Sequence, residues 1–357
     1  MPMSVKSASL AEVLDEMTAT SAAELTEYLD EQSLRCYACG HRCLIKEGKR
    51  GICKVRYNEG GRLLVPFNYV AALACDPTEK KPFFHALPGS DTLTFGMLGC
   101  DLHCAYCQNW LTSQALRDDA AGVAPKMVTA DKLVSLAKAY GASMVGSSYN
   151  EPLITAEWAV EVFKRAKPAG FKTAFISNGN ATPQVLDYLR PWTDCYKIDL
   201  KSMSDRNYRK LGGVVDNILE TIQMVHERGF WEEIVTLVIP GFNDGEDELR
   251  RAADFIASVS PDIPWHVTAF HQDYNMTENA NTTAEQLIRA CEIGRAAGLR
   301  YIYAGNLPGR VGRWENTYCP SCDELLIERY GYQIRQMKVT PAGNCPSCST
   351  VIPGIWS

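Results

Sequence analysis

Residues 92–109 read TLTFGMLGCDLHCAYCQN. A short β-rich run, 92–99, empties into a polar loop with cysteines at 100, 104 and 107. Further β-rich runs follow: ASMVGSSY (142–149), KTAFISNG (172–179), CYKIDLK (195–201), EIVTLVIPG (233–241), WHVTAF (265–270) and YIYAGN (301–306). Between them lie helical stretches at 130–141, 155–170, 217–229, 247–259 and 283–298, several closing on glycine, a usual helix stop. Strand–helix alternation with short links predicts βαβ units and a parallel sheet, and six or seven units suit an α/β fold that is a full or partial (β/α) barrel better than a flat doubly wound sheet. Functional residues of a barrel collect where strands end. Here the unusual polar residues do so: CDLHCAYCQN, NEP, SNG, DLK, PGFND and HQDY each follow or close a predicted strand.

Outside this region the pattern changes. Residues 9–31 have apolar positions at helical spacing and predict an amphipathic helix, followed by a Gly- and Lys-rich segment with four cysteines. After residue 306 the alternation stops. The expected organisation is 1–91, an N-terminal helix and four-cysteine segment; 92–306, the barrel; and 307–357, a small C-terminal module.

The chain has 357 residues, is 46% apolar and carries a formal charge of −6. That supports a real core and argues against nucleic acid as the main partner, since phosphate binding wants a basic face. No apolar run reaches the roughly 18 residues of a membrane span. The N-terminal stretch MPMSVKSASLAEVLDEM lacks an apolar core for a secretory signal, so the expected location is cytoplasmic.

Fourteen cysteines in such a chain point to metal sites or catalysis rather than disulfides. Cys75, Cys195 and Cys291 stand alone and read as inert. Cys319-x2-Cys322 and Cys345-x2-Cys348 flank a hairpin-like LLIERYGYQIRQMKV, the arrangement of a zinc ribbon with no open position. An iron site has the same geometry. Cys36, Cys39, Cys43 and Cys53 offer four more thiolates at irregular spacing, for a structural zinc or an auxiliary iron–sulfur cluster, and His41 lies among them. Cys100, Cys104 and Cys107 differ in kind. Three thiolates on a loop leaving a strand can hold three corners of a [4Fe–4S] cube and leave one iron open, as a catalytic site requires. The alternative is a zinc completed by His103 or a distant ligand.

The Cx3Cx2C signature, with aromatic Tyr106 before its last cysteine, resembles the radical SAM superfamily, which implies a partial (β/α)6 TIM-like barrel. The resemblance implies S-adenosylmethionine chelated to the open iron and cleaved to a 5′-deoxyadenosyl radical, with electrons from a flavodoxin- or ferredoxin-like donor. It also implies site roles. YNEP (149–152) places Asn150 and Glu151 at the methionine amino group, in a form that departs from the commoner Gly-Gly-Glu. SNG and DLK are similar to motifs of glycyl-radical activases, placing Ser177 and Asn178 near ribose or carboxylate, and Asp199 and Lys201 at the amino and carboxylate ends. VIPG and FH place Val238 beside adenine and His271 beside the ribose.

RCYACGHRCLIKEGKRGICKVR, DPTEKKPFFHALPGS, SYNEP, PWHVTAFHQDY and ENTYCPSCDELLIERYG resemble the radical SAM members of the AmmeMemoRadiSam system from about residue 35 onward. Gly40 and Gln272 stand where many members have proline. This implies Memo-type and AMMECR-type partner proteins. The expected activity is hydrogen abstraction from a substrate that is protein- or peptide-linked, or small and aromatic. A glycyl-radical-enzyme activase is one alternative, although about 95 residues before the signature and the cysteine tail depart from a compact activase. A non-catalytic metal-binding scaffold is the other. No cobalamin-binding domain is evident.

Overall fold

The computed structural model describes residues 9–357; the expectation drawn from the N-terminal stretch rests partly on residues 1–8, which lie outside it. Its centre is an eight-stranded sheet whose spatial order equals chain order: Ala72–Pro77, Asp91–Gly96, Met144–Ser147, Lys172–Ser177, Cys195–Asp199, Trp231–Val238, Trp265–Ala269 and Ile302–Gly305. The first strand is antiparallel to the second; the other seven are mutually parallel. All seven parallel strands fall on the predicted runs, and six crossovers join them. The two edge strands do not pair with each other, so the barrel is partial, with a seam between its first and last strands.

Met144–Ser147 and Trp265–Ala269 are buried at every position, as parallel strands covered on both faces should be. The covering helices have the expected amphipathic faces. Thr129, Thr182, Ser204 and Thr283 cap Ala130–Ala139, Pro183–Leu189, Asp205–Leu211 and Ala284–Ala296 with side-chain oxygens on the third backbone N–H. The second and third of these are two-turn helices too short for periodicity to reveal.

The helix predicted over 9–31 is confined to Leu10–Asp15, which Ser9 and Glu12 start with a capping box. Beyond it, Thr18–Thr20 pairs with Arg62–Pro66, and Thr26–Tyr28 pairs with Ser33–Cys36. Threonines suit a pleated surface, and strand pairing to residues some 45 positions away overrides the helical spacing. Leu25 is fully buried, but in the main core from the short 3-10 turn Ala23–Leu25 rather than along an α-helix. Arg56 ties the segment to the barrel. Its guanidinium, buried, grips both oxygens of Glu157 on helix Ala156–Ala166 at 2.8 Å each.

The predicted tail hairpin is present as Leu325–Tyr330 against Gln333–Met337. It closes the N-terminal end of the barrel together with residues 82–87. There Glu233 accepts the backbone N–H groups of Phe84 and His85. A directed chain of hydrogen bonds follows. Arg329 donates to Thr317 Oγ1 (2.8 Å), Thr317 to Tyr303 Oη (2.8 Å), Tyr303 to His85 Nε2 (2.6 Å), and His85 Nδ1–H to the Pro353 carbonyl (2.7 Å). A carbonyl only accepts, so Nδ1 carries the proton and the chain has one consistent direction.

Burial lowers His85 to a pKa of about 4. Its folded value is below the unfolded one of about 6.5, so unfolded chains bind the extra proton first and stability falls as pH drops from 6.5 towards 4. Between pH 7 and pH 5 urea unfolding should show the wild type losing about 2 kcal/mol more than His85→Gln. Parallel losses would mean that His85 is free to ionise in the folded chain.

Candidate active site

At the C-terminal end of the strands lies a cavity of about 390 Å³. Cys100, Cys104 and Cys107 line it, as do Tyr106, Asn150 and Glu151 from the first two strand ends. Ser177, Asn178, Asp199 and Lys201 complete the lining from the next two. Ten of the twelve residues expected around this loop therefore converge, although they come from four different strand ends. Val238 does not line the cavity; its side chain is buried in the main core and its carbonyl accepts from Thr282. His271 is exposed, with its Nε2 2.9 Å from the amide of Gln108, a lining residue.

The three sulfurs are mostly enclosed. Burial pushes the Cys104 thiol up to about 12 and raises Cys100 and Cys107 as well. A bare thiolate is disfavoured there, so deprotonated sulfur calls for a bound cation. Donors stand ready for it: Leu102 N–H reaches Cys100 Sγ at 3.3 Å, and Ser113 Oγ stands 3.1 Å from Cys107 Sγ. Among the described residues the three do not gather within 4.8 Å of one another as the tail cysteines do. The donor set fits a cluster held at three corners better than one ion. His103 takes no part; its ring packs against Gly212.

Two buried carboxylates hold the strand ends together. Glu151 accepts from Ser177 Oγ (2.7 Å), Asn178 N–H (2.7 Å) and Leu153 N–H (3.1 Å). Burial, then the charge of Asp101, push its pKa up to about 8 against these donors. Asp101 was not among the expected site residues. It accepts from the side-chain amides of Asn178 on Oδ1 and Asn180 on Oδ2, both at 2.7 Å, and His41 Nδ1 lies 3.6 Å from Oδ2. Burial opposes its charge, but His41 and the two amides hold its pKa low. A carboxylate inside a cysteine loop was the only local signal for it.

Asp199 sits between two lysines. Lys197, also missed by motif reading, forms a close ion pair with Oδ1, and Lys201 Nζ lies 3.3 Å from Oδ2. Burial opposes the Asp199 charge, and the two ammoniums outweigh it, so its pKa is lowered. Asn150 spends its carbonyl on Met97 N–H and its amide on the Glu151 carbonyl.

The tail cysteines form a compact group. Cys319 and Cys348 sulfurs are 3.5 Å apart, Cys322 and Cys345 3.7 Å. A tetrahedral ion with bonds of 2.3 Å needs edges of about 3.8 Å. Cys36, Cys39, Cys43 and Cys53 are not so gathered; the compact trio there is Cys39, His41 and Asp101. Gly40 explains its own departure from proline. Its N–H donates to the Asn180 carbonyl at 2.7 Å, and a β-carbon would fall 2.2 Å from Asn180 Oδ1.

Only a carboxylate can accept amide hydrogens on both oxygens, so Asp101→Asn must strand one buried group. Unfolding stability should fall by about 1–3 kcal/mol in a urea melt. An unchanged midpoint would show that Asn180 does not depend on Asp101.

Residues 95–256 match the radical SAM superfamily. An uncharacterized protein of Methanocaldococcus jannaschii is 35% identical over 306 residues, spanning 85% of this chain and 90% of that protein. The pyruvate formate-lyase 1-activating enzyme of Escherichia coli K12 is 28% identical over 205 residues, 54% of this chain and 80% of the enzyme. A solved domain of a pyruvate-formate lyase-activating enzyme from Bacteroides vulgatus shares 24% identity with a TM-score of 0.41, covering 45% of this chain and 98% of the domain. The signature cysteines, the strand-end motifs that share their cavity and the sequence matches agree: the chain belongs to the radical SAM superfamily.

Proposed function

We propose that this enzyme cleaves S-adenosylmethionine reductively at the Cys100–Cys104–Cys107 loop and abstracts hydrogen from a substrate admitted to the same cavity. When bound, a [4Fe–4S] cluster supplies the electron for that cleavage and an open iron for the methionine end. The observation that carries the reading is the shared cavity: three sulfurs face Asp199, Lys201, Glu151, Ser177 and Asn178. Lys201 is suited to the methionine carboxylate. Asp199 stays ionised and is suited to the amino group, with Asn150 and Glu151 beside it. Tyr106 covers the loop, its ring edge-on to Phe242. In this reading the adenosine end runs towards Val238 and His271, the latter approached through Gln108.

The substrate is protein- or peptide-linked, or small and aromatic, and Memo-type, AMMECR-type and flavodoxin- or ferredoxin-like proteins act with the enzyme. The names of the activating-enzyme relatives support a second reading, activation of a glycyl-radical protein. The tail cysteines hold zinc; their spacing supports a single tetrahedral ion. The N-terminal four stand too far apart for one, which supports an auxiliary iron–sulfur cluster over zinc.

Anaerobic reconstitution with dithionite and S-adenosylmethionine should yield 5′-deoxyadenosine; none from a protein with its cluster intact sinks the proposal. Cys104→Ala should lose labile iron and keep zinc by metal analysis, whereas loss of both would mean the cysteine groups are misassigned. Lys201→Ala should weaken S-adenosylmethionine binding by about 1.5–3 kcal/mol, as removal of a charge-assisted hydrogen bond does. Unchanged affinity in equilibrium dialysis removes Lys201 from the site.

A further inference from the structure

The cavity contains an electrostatic pattern that S-adenosylmethionine alone does not use. Four lysines line it: Lys80, Lys81, Lys197 and Lys201. They come as two pairs, each sharing one carboxylate. Asp199 serves Lys197 and Lys201. Asp76 serves Lys80 at 2.9 Å and Lys81 at 2.8 Å. Each pair therefore keeps one positive charge uncompensated. With the methionine carboxylate on Lys201 and its amino group on Asp199, the ligand's amino-acid end is matched by that pair alone, and the Asp76 pair keeps its own excess charge.

In that second pair Lys80 is exposed, whereas Lys81 is built in. Lys81 is 6% exposed, and an ammonium so enclosed is costly unless its three donors are met. One donor goes to Asp76 and a second to Tyr149 Oη at 3.2 Å; the third has no protein acceptor among the described residues, and Lys81 lines the cavity. Tyr149 is itself held in place. Its φ of +71° is unusual for a bulky residue, and its hydroxyl also meets Thr94 Oγ1 at 2.8 Å. The Lys81 ammonium lies 5.0 Å from the centre of the Tyr149 ring. Lys80 is within electrostatic reach of both Tyr149 and Tyr332. Tyr332 comes from the tail hairpin and approaches Asn306 at the end of the last strand. The pair thus lies at the seam of the partial barrel, between the first and last strands, with two aromatic rings and a neutral amide beside it.

We propose that Lys80 and Lys81 dock an anionic group, a carboxylate or phosphate, of the molecule from which hydrogen is taken. The proposal rests on the reading of the cavity as a radical SAM reaction chamber. The anion could belong to a free metabolite or to an acidic peptide; the chemistry of recognition is the same.

The test uses the full chain, reconstituted anaerobically and supplied with dithionite and S-adenosylmethionine. Extract of cells that carry the gene is divided by size and passed over an anion exchanger. Formation of 5′-deoxyadenosine is compared with each preparation's own rate without extract. The stimulating fraction should be retained by the exchanger. Lys81→Gln should need about tenfold or more of it for half-maximal stimulation, the loss expected for one charge-assisted hydrogen bond. Lys81→Arg, which keeps the charge, should retain most of the response. Stimulation in the small-molecule fraction identifies a metabolite, and in the large one a peptide or protein. Stimulation by unretained material, an unchanged requirement in Lys81→Gln, or no stimulation by any fraction overturns the proposal. Absence of 5′-deoxyadenosine under every condition instead overturns the reading on which it rests.

Discussion

The site depends on one residue serving two buried carboxylates. Asn178 gives its backbone N–H to Glu151 and its side-chain amide to Asp101. Three strand ends are thereby fixed to one another: the cysteine loop through Asp101, NEP through Glu151 and SNG through Asn178. The bond to Asp101 is charge-assisted, and both are withdrawn from water, where hydrogen bonds are most costly to break. The glycine that follows is part of the device. Gly179 has φ +78°, and a β-carbon there would fall 2.6 Å from Ile198 Cγ2. Only with glycine can the chain turn closely enough over the next strand to aim Asn178 at both carboxylates.

The cysteine groups follow a related logic. The tail module gathers four sulfurs on two knuckles and a hairpin, and a small module with little core gains most from such a staple. The loop at 100–107 offers three sulfurs in a cavity whose lining also holds Glu151, Asp199, Lys197 and Lys201. The difference between a closed and an open ligand set is written into the elements that carry them. The tail knuckles face each other across one hairpin, whereas the loop faces the mouth of a barrel. At the other end of the same strands the tail closes the barrel base through Arg329, Thr317, Tyr303 and His85.

Much of the fold was legible because seven parallel strands buried on both faces leave polar residues nowhere to go but their ends. The runs at 92–99 and 265–270 and the motifs after them therefore read directly. What stayed hidden depends on partners remote in sequence. The edge strand Ala72–Pro77 has half-exposed residues and no clean alternation, and only its pairing with Asp91–Gly96 makes it a strand. The 9–31 helix failed for the same reason, since Thr18–Thr20 finds its partner at Arg62–Pro66. Asp101 sits beside a recognised motif residue, yet its role comes from Asn178 and Asn180, which no spacing rule connects to it; Lys197, two residues before Asp199 on the same strand face, was within reach of the period-2 rule. Val238 and His271 show the converse: motif position placed them at a strand end, but not in the wall of the cavity.

The N-terminal segment looks at first like an appendage. Its contacts argue otherwise. Gly40 N–H meets the Asn180 carbonyl, His41 lies between the Gly212 carbonyl at 2.8 Å and the Asp101 carboxylate, and Thr182 Oγ1 bonds the Tyr37 carbonyl. Each partner belongs to the loops that follow a barrel strand. Arg56 adds a buried ion pair to Glu157, and breaking such a pair costs several kcal/mol because the orphaned charge remains enclosed. Burial works against the charge on His41, yet Asp101 raises its pKa, so part of the negative charge beside the cysteine loop is balanced from outside the barrel. Residues 36–56 thus stand behind the cavity rather than in its wall, and His41 steadies the carboxylate that holds Asn178.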